Sequence, residues 1–142
     1  KMEILDALLE KPFRDYSDTM FQKFQVSMNE DLKWIQLKKD TVSMNRKPSI
    51  ALDEFTGKYE NEVYGSLNII RKGKELEIYF PLNECTGRLE SLGENRFLCT
   101  YSNPLLGIKE FPFEVQNGKV KSVKVSCADF VEFTNYDFKK IN

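Results

Sequence analysis

Tyr59-Glu60-Asn61 has the spacing of a Tyr-x-Asn motif, in which the tyrosine takes the proton of a serine nucleophile. That chemistry needs partners, and the chain does not supply them. No serine is followed by a lysine three residues on, and Arg71-Lys72-Gly73-Lys74-Glu75 is no Lys-Thr-Gly element. The chain has no histidine, which removes the commonest general base, the commonest zinc ligand and every Ser-His or Cys-His pair. A tyrosine without a serine and a lysine has nothing to activate. The expectation is structural: Tyr59 and Tyr64 pack at the mouth of a fold, Asn61 ties a turn through its side chain, and Gly57 and Gly65 serve the same turn-bearing motif, Gly65 permitting a tight bend.

Other chemistry-bearing groups give no catalytic site either. Glu60/Glu62 and Glu75/Glu77 lie at strand spacing, so each pair shares one face, most often a solvated one. A glycosidase sets its carboxylates across a cleft instead. Cys85, Cys99 and Cys127 form no close pair and have no histidine for company, which disfavours a zinc site. One disulfide with a thiol left over is one reading; three free thiols buried as small hydrophobes is the preferred one. No Gly-rich phosphate loop is present, and neither a metal nor a cofactor is expected.

The elements that must position these residues change character halfway along. Ile4, Leu5, Leu8 and Leu9 have helical spacing up to Pro12. From Phe13 to about Lys39 there is no Gly or Pro. There Phe13, Tyr16, Met20, Phe21, Phe24, Met28, Leu32, Trp34 and Ile35 fall on one arc of a helix, opposite Asp15, Gln22, Lys23, Glu30 and Lys33. Such a stripe has to be covered. The mixed signs opposite it favour packing against protein over a membrane surface. Asp40 to Ala51 is a polar connector carrying Pro48.

Beyond the connector the period falls to two. Strands are expected near Gly57–Asn61, Leu67–Ile69, Leu76–Phe80, Arg88–Leu92, Arg96–Tyr101, Lys109–Val115, Val120–Cys127 and Phe130–Phe138, with Gln116-Asn117-Gly118-Lys119 as a hairpin turn and no helical break. Eight strands spaced about ten residues apart predict an antiparallel up-and-down barrel, preceded by one or two α-helices. Tyr59, Leu67, Ile69, Leu76, Ile78, Phe80, Phe97, Cys99, Tyr101, Phe111, Phe113, Val115, Val125 and Phe133 should share its inner face. Such an interior is either filled by side chains or holds one small apolar ligand. The many Phe and Tyr favour the filled reading. For the ligand reading the candidate lining is Tyr59, Tyr64, Phe80, Phe97, Tyr101, Phe111 and Phe113.

Composition agrees with one domain bearing a helical appendage: 142 residues, 41% apolar, eleven Phe. The net charge of −1, with no single-sign block, disfavours a nucleic-acid surface. No apolar run reaches the roughly 18–20 residues of a membrane span. The chain begins at Lys1 without a Met and reads as a piece of a longer protein, so nothing in it fixes a compartment.

Leu52, Phe55, Gly57, Tyr59, Asn61, Tyr64 and Gly65, with the alternating strand that follows, resemble the opening of the lipocalin-like C-terminal domain of serine hydrolases related to class C β-lactamases and penicillin-binding proteins. Phe111-Pro112-Phe113 before Gly118-Lys119-Val120 resembles a later hairpin of that family. The front half is similar as well, from Ile4–Gln25 to the Pro48 approach. The resemblance implies a division into the end of an upstream hydrolase helix (1–12), a linker helix with connector (13–51) and the barrel (52–142). It also implies a non-catalytic accessory domain that packs beside the catalytic domain of its own chain, shaping access, substrate selection or oligomer contacts, within a periplasmic or extracellular parent. A homo-oligomer formed through the N-terminal helix and a small apolar ligand are the other partners considered. One stretch departs: Ser91, Leu92 and Gly93 stand where that family carries a His-Trp-His-type cluster, so whatever the cluster does is not expected here.

Overall fold

The computed structural model describes residues 2–126 and 134–141. The expected inward-facing Phe133, Cys127 and the first part of the expected last strand, 130–133, lie outside the described residues. The chain divides into two compact units, one up to Leu37 and one from Lys38 on.

In the first unit, α1 (Met2–Leu8) ends before Pro12. Glu10 adopts a left-handed φ of 53°, and the Lys11 N–H closes onto the Asp6 carbonyl at 2.8 Å. The long helix α2 covers Tyr16–Ser43. Its expected start at Phe13 moves to Tyr16 because the Asp15 carboxylate accepts from the Asp18 N–H at 2.9 Å, which caps the first turn. The Tyr16 hydroxyl donates to Asp6 at 2.6 Å and joins the two helices. Asp6 is buried in that contact. Most apolar side chains of the stripe remain exposed, and none of α2 is buried.

Within the second unit α2 continues through Asp40–Ser43, which the sequence assigned to the connector. It stops at Asn45, whose φ of 51° and N–H to the Val42 carbonyl (2.9 Å) close the C-terminus. A single 3-10 turn at Leu52–Phe55 leads into the sheet.

The eight strands are β1 (Gly57–Asn61), β2 (Gly65–Lys72), β3 (Glu75–Phe80), β4 (Cys85–Gly93), β5 (Arg96–Tyr101), β6 (Ile108–Gln116), β7 (Lys119–Ser126) and β8 (Asn135–Lys140). Each pairs antiparallel with its neighbour, and β8 returns to β1 through Tyr59↔Lys140 and Glu60↔Lys139, so the ring is closed. Closure removes the exposed edges that an open sheet would present. The barrel expected from the strand spacing is therefore the fold. Its expected freedom from helical breaks is corrected by two 3-10 turns, Pro81–Asn83 and Pro104–Leu106. Proline opens both, since its fixed φ suits a first helical position. A left-handed Glu84 ends the first, and the Asn103 side chain caps the second by accepting from the Leu105 N–H at 3.0 Å.

Alternation puts Leu67, Ile69, Leu76, Ile78, Leu89, Phe97, Cys99, Phe111, Val123, Val125 and Phe138 inside, each 1% exposed or less. The register allows this only because Gly87 lies opposite Ile78 and Tyr101: a Cβ there would stand 2.6 Å from the Cys99 Sγ.

Candidate functional site

The Tyr-x-Asn stretch is built as follows. The Asn61 Oδ1 accepts from the backbone N–H groups of Val63 (2.9 Å) and Tyr64 (3.1 Å), and its Nδ2 donates to the Asp137 carbonyl at 3.0 Å. One side chain thus shapes the β1–β2 turn and fastens it to β8. Gly65 follows at φ 70°, a left-handed value that a side chain would strain. Gly57 opens β1 at φ 131°.

Tyr59 is fully buried. Its hydroxyl donates to the Phe55 carbonyl at 2.7 Å, and burial pushes its pKa well above the ordinary phenol range. A phenol in that state is protonated at neutral pH and is not a proton acceptor. Burial, with Cys85 nearby, likewise pushes the Cys99 thiol up. Cys85 and Cys99 are both free, and the Cys85 Sγ lies 3.5 Å from the Ser102 Oγ. A buried thiol held above its normal pKa is a poor nucleophile.

The seven candidate lining residues separate into groups. Phe97 and Phe113 meet edge to face at 5.3 Å, and Tyr59 meets Phe113 at 6.2 Å. Tyr101 bridges Phe111 (6.0 Å) and Phe80 (5.7 Å). Tyr64 instead pairs with Tyr136 at 4.5 Å. Phe55, which sequence reasoning left out of the interior, is fully buried and contacts Phe97 at 5.0 Å and Phe113 at 5.1 Å. It enters from the 3-10 turn before β1, so no strand alternation could announce it. The interior rings therefore contact one another within two groups, Phe55, Tyr59, Phe97 and Phe113 in one and Phe80, Tyr101 and Phe111 in the other.

A cleft of about 850 Å³ lies elsewhere, between the connector and the ends of β2, β3 and β4. Its accessible apolar lining is Ile50 and Leu52, which pack against the core residues Leu89 and Phe97, each 1% exposed or less. The connector wall is pinned in place. The Ser49 N–H and hydroxyl reach the Asn95 Oδ1 at 3.0 and 2.9 Å, and the Ser91 hydroxyl donates to the Arg46 carbonyl at 2.7 Å. Gly93, at φ 86°, brings the β4–β5 turn so close that a Cβ would stand 3.1 Å from the Arg46 Cβ. Ser91 and Gly93 thus do fastening work where the resembling family carries its His-Trp-His-type cluster. The opposite wall carries Arg71, whose guanidinium pairs with Asp53 at 2.7 Å, and Lys74.

Charge in this cleft is unbalanced. Glu75 and Glu90 are both paired with Arg88, and Arg71 with Asp53. Among the described residues Arg46, Lys47 and Lys74 have no ion pair; the Arg46 guanidinium meets only the Met44 Sδ, at 3.6 Å. The signal for this was present in sequence as two basic stretches, Arg46-Lys47 and Arg71-Lys72-Gly73-Lys74. Only the fold brings Arg46, Lys47, Arg71 and Lys74 to one opening, while Lys72 pairs with Glu77. No group of three or more His, Cys, Asp or Glu able to hold a metal occurs among the described residues.

A family profile matches residues 41–142 from the end of α2 to the last strand. The chain belongs to the DUF3471 family, a domain of unknown function. No curated protein and no solved structure matches it. The DUF3471 region holds the whole barrel and every residue named in the cleft, while the exposed stripe of α2 lies ahead of it.

Proposed function

We propose that this chain is a non-catalytic accessory domain of a serine hydrolase related to the class C β-lactamases. In this reading α2 is the element that docks it on the catalytic domain. The observation that carries the docking is the stripe on α2. Met20, Phe24, Met28 and Leu32 recur every four residues and are 72%, 63%, 44% and 56% exposed, with Phe21 beside them at 57%. An apolar face that wide on a helix is stable in water only when covered. Complete burial of each such side chain would contribute about 1.5–3 kcal/mol. No serine of the sequence is followed by a lysine three residues on, which supports the non-catalytic part, as does the protonated, hydrogen-bonded state of Tyr59.

Two measurements test the reading. A serine-directed fluorophosphonate should leave the purified chain unlabelled, and stoichiometric labelling would end the non-catalytic proposal. A catalytic domain of a class C β-lactamase-related serine hydrolase that carries such a segment should bind the chain in trans, and Phe21→Glu with Phe24→Glu should abolish binding. Sedimentation in which the chain alone forms a dimer that the same double variant dissociates would assign the stripe to a second copy instead.

A further inference from the structure

We infer that the cleft beside the connector binds a small amphiphilic carboxylate, its alkyl part on the apolar floor and its head among Arg46, Lys47 and Lys74. The volume of about 850 Å³ falls in the range of small-molecule sites. Ile50 and Leu52 supply the accessible apolar floor, and Leu89 and Phe97 back it rigidly because they are buried barrel core. The connector wall is held by the Ser49–Asn95 and Ser91–Arg46 hydrogen bonds, so the site is preformed.

Charge complementarity selects the head group. Arg88 offsets only one of Glu75 and Glu90, and Arg71 is paired with Asp53, so Arg46, Lys47 and Lys74 outnumber the remaining carboxylate and leave a positive excess to attract an anion. Topology selects a small molecule over an extended peptide. The barrel is a closed ring, so no free strand edge stands ready to pair with a peptide backbone. The cleft lies wholly within the unit from Lys38 on, so ligand binding and docking through α2 are tested separately.

The test is calorimetry of the full chain with a series from hexanoate to decanoate, each below its micelle concentration, beside the matching alcohols. Affinity should rise roughly fourfold per added methylene while the floor fills. Each carboxylate should bind about tenfold more tightly than its alcohol and weaken as salt is raised. Lys47→Gln with Lys74→Gln should lower carboxylate affinity at least fivefold and leave the alcohols unchanged. Ala51→Trp should block both by filling the opening, with an unaltered circular dichroism spectrum. Equal binding of acid and alcohol, no dependence on chain length, or indifference to the lysine variants would overturn the proposal. So would a short acidic peptide that binds more tightly than decanoate, since that would assign the cleft to a polypeptide.

Discussion

Gly87→Ala probes the packing on which the closed barrel depends. A Cβ at this position would lie 2.6 Å from the Cys99 Sγ and 3.0 Å from the Ile78 Cγ2. Ordinary contact distances are about 3.5–4.0 Å, so the neighbours must give by roughly 1 Å. Both neighbours are essentially unexposed and sit on strands paired to either side, β3 and β5. Overpacking of a filled core costs about 1–3 kcal/mol. The restriction that alanine places on the unfolded chain returns about 0.4–1 kcal/mol. The net loss should be about 1–2 kcal/mol, which for a domain of this size lowers Tm by roughly 4–9 °C. Urea and thermal unfolding of the full chain, followed by circular dichroism, measure it.

Cys99→Ala removes the clashing sulfur, so the double variant should recover at least about 0.5 kcal/mol relative to the sum of the singles. A Gly87→Ala protein melting within 1 °C of wild type, or strict additivity with Cys99→Ala, would show that the interior is not filled at this layer.

Further expectations follow the same physics. Tyr59→Phe leaves the buried Phe55 carbonyl without its donor and should cost about 1–3 kcal/mol in urea unfolding. An unchanged midpoint would mean that the carbonyl finds another partner. Stability should be flat through neutral pH and fall as pH rises. The unfolded thiol and phenol lose protons from about pH 8.5 and 10, while the buried Cys99 and Tyr59 keep theirs. Denaturation at pH 7–11 should therefore steepen above about pH 9, and less so in the Cys99→Ala, Tyr59→Phe double variant. Asn61→Ala removes two accepted hydrogen bonds and one donated one at a largely exposed turn and should cost about 1–2 kcal/mol. Asn61→Asp, which keeps the acceptors, should lose less. Gly93→Ala strains a φ of 86° and presses on Arg46, so it should loosen the connector and weaken carboxylate binding in the calorimetric series.

Much of the barrel could be read from the chain because strand structure is written in short range. Leu67/Ile69, Leu76/Ile78 and Phe111/Phe113 alternate with polar neighbours, and tight turns such as Asn117-Gly118 separate them. Each such segment can bury one face only as part of a sheet. Helix ends were less legible. The stop at Asn45 rather than near Lys39 rests on a left-handed cap, which periodicity does not encode. The lack of a serine partner for Tyr59 was likewise legible, since it needs only an inventory.

The cleft was not legible. Phe55 and Ile50 sit in segments with no repeat, and their burial follows from what the closing barrel leaves uncovered at its end. Arg46 and Lys74 are far apart in sequence and share an opening only after the Ser49–Asn95 and Ser91–Arg46 bonds fold the connector over the sheet. Local alternation and turn chemistry thus determined a ring of hairpins. Which charges face one another across a gap is a long-range matter, and only the tertiary structure decided it.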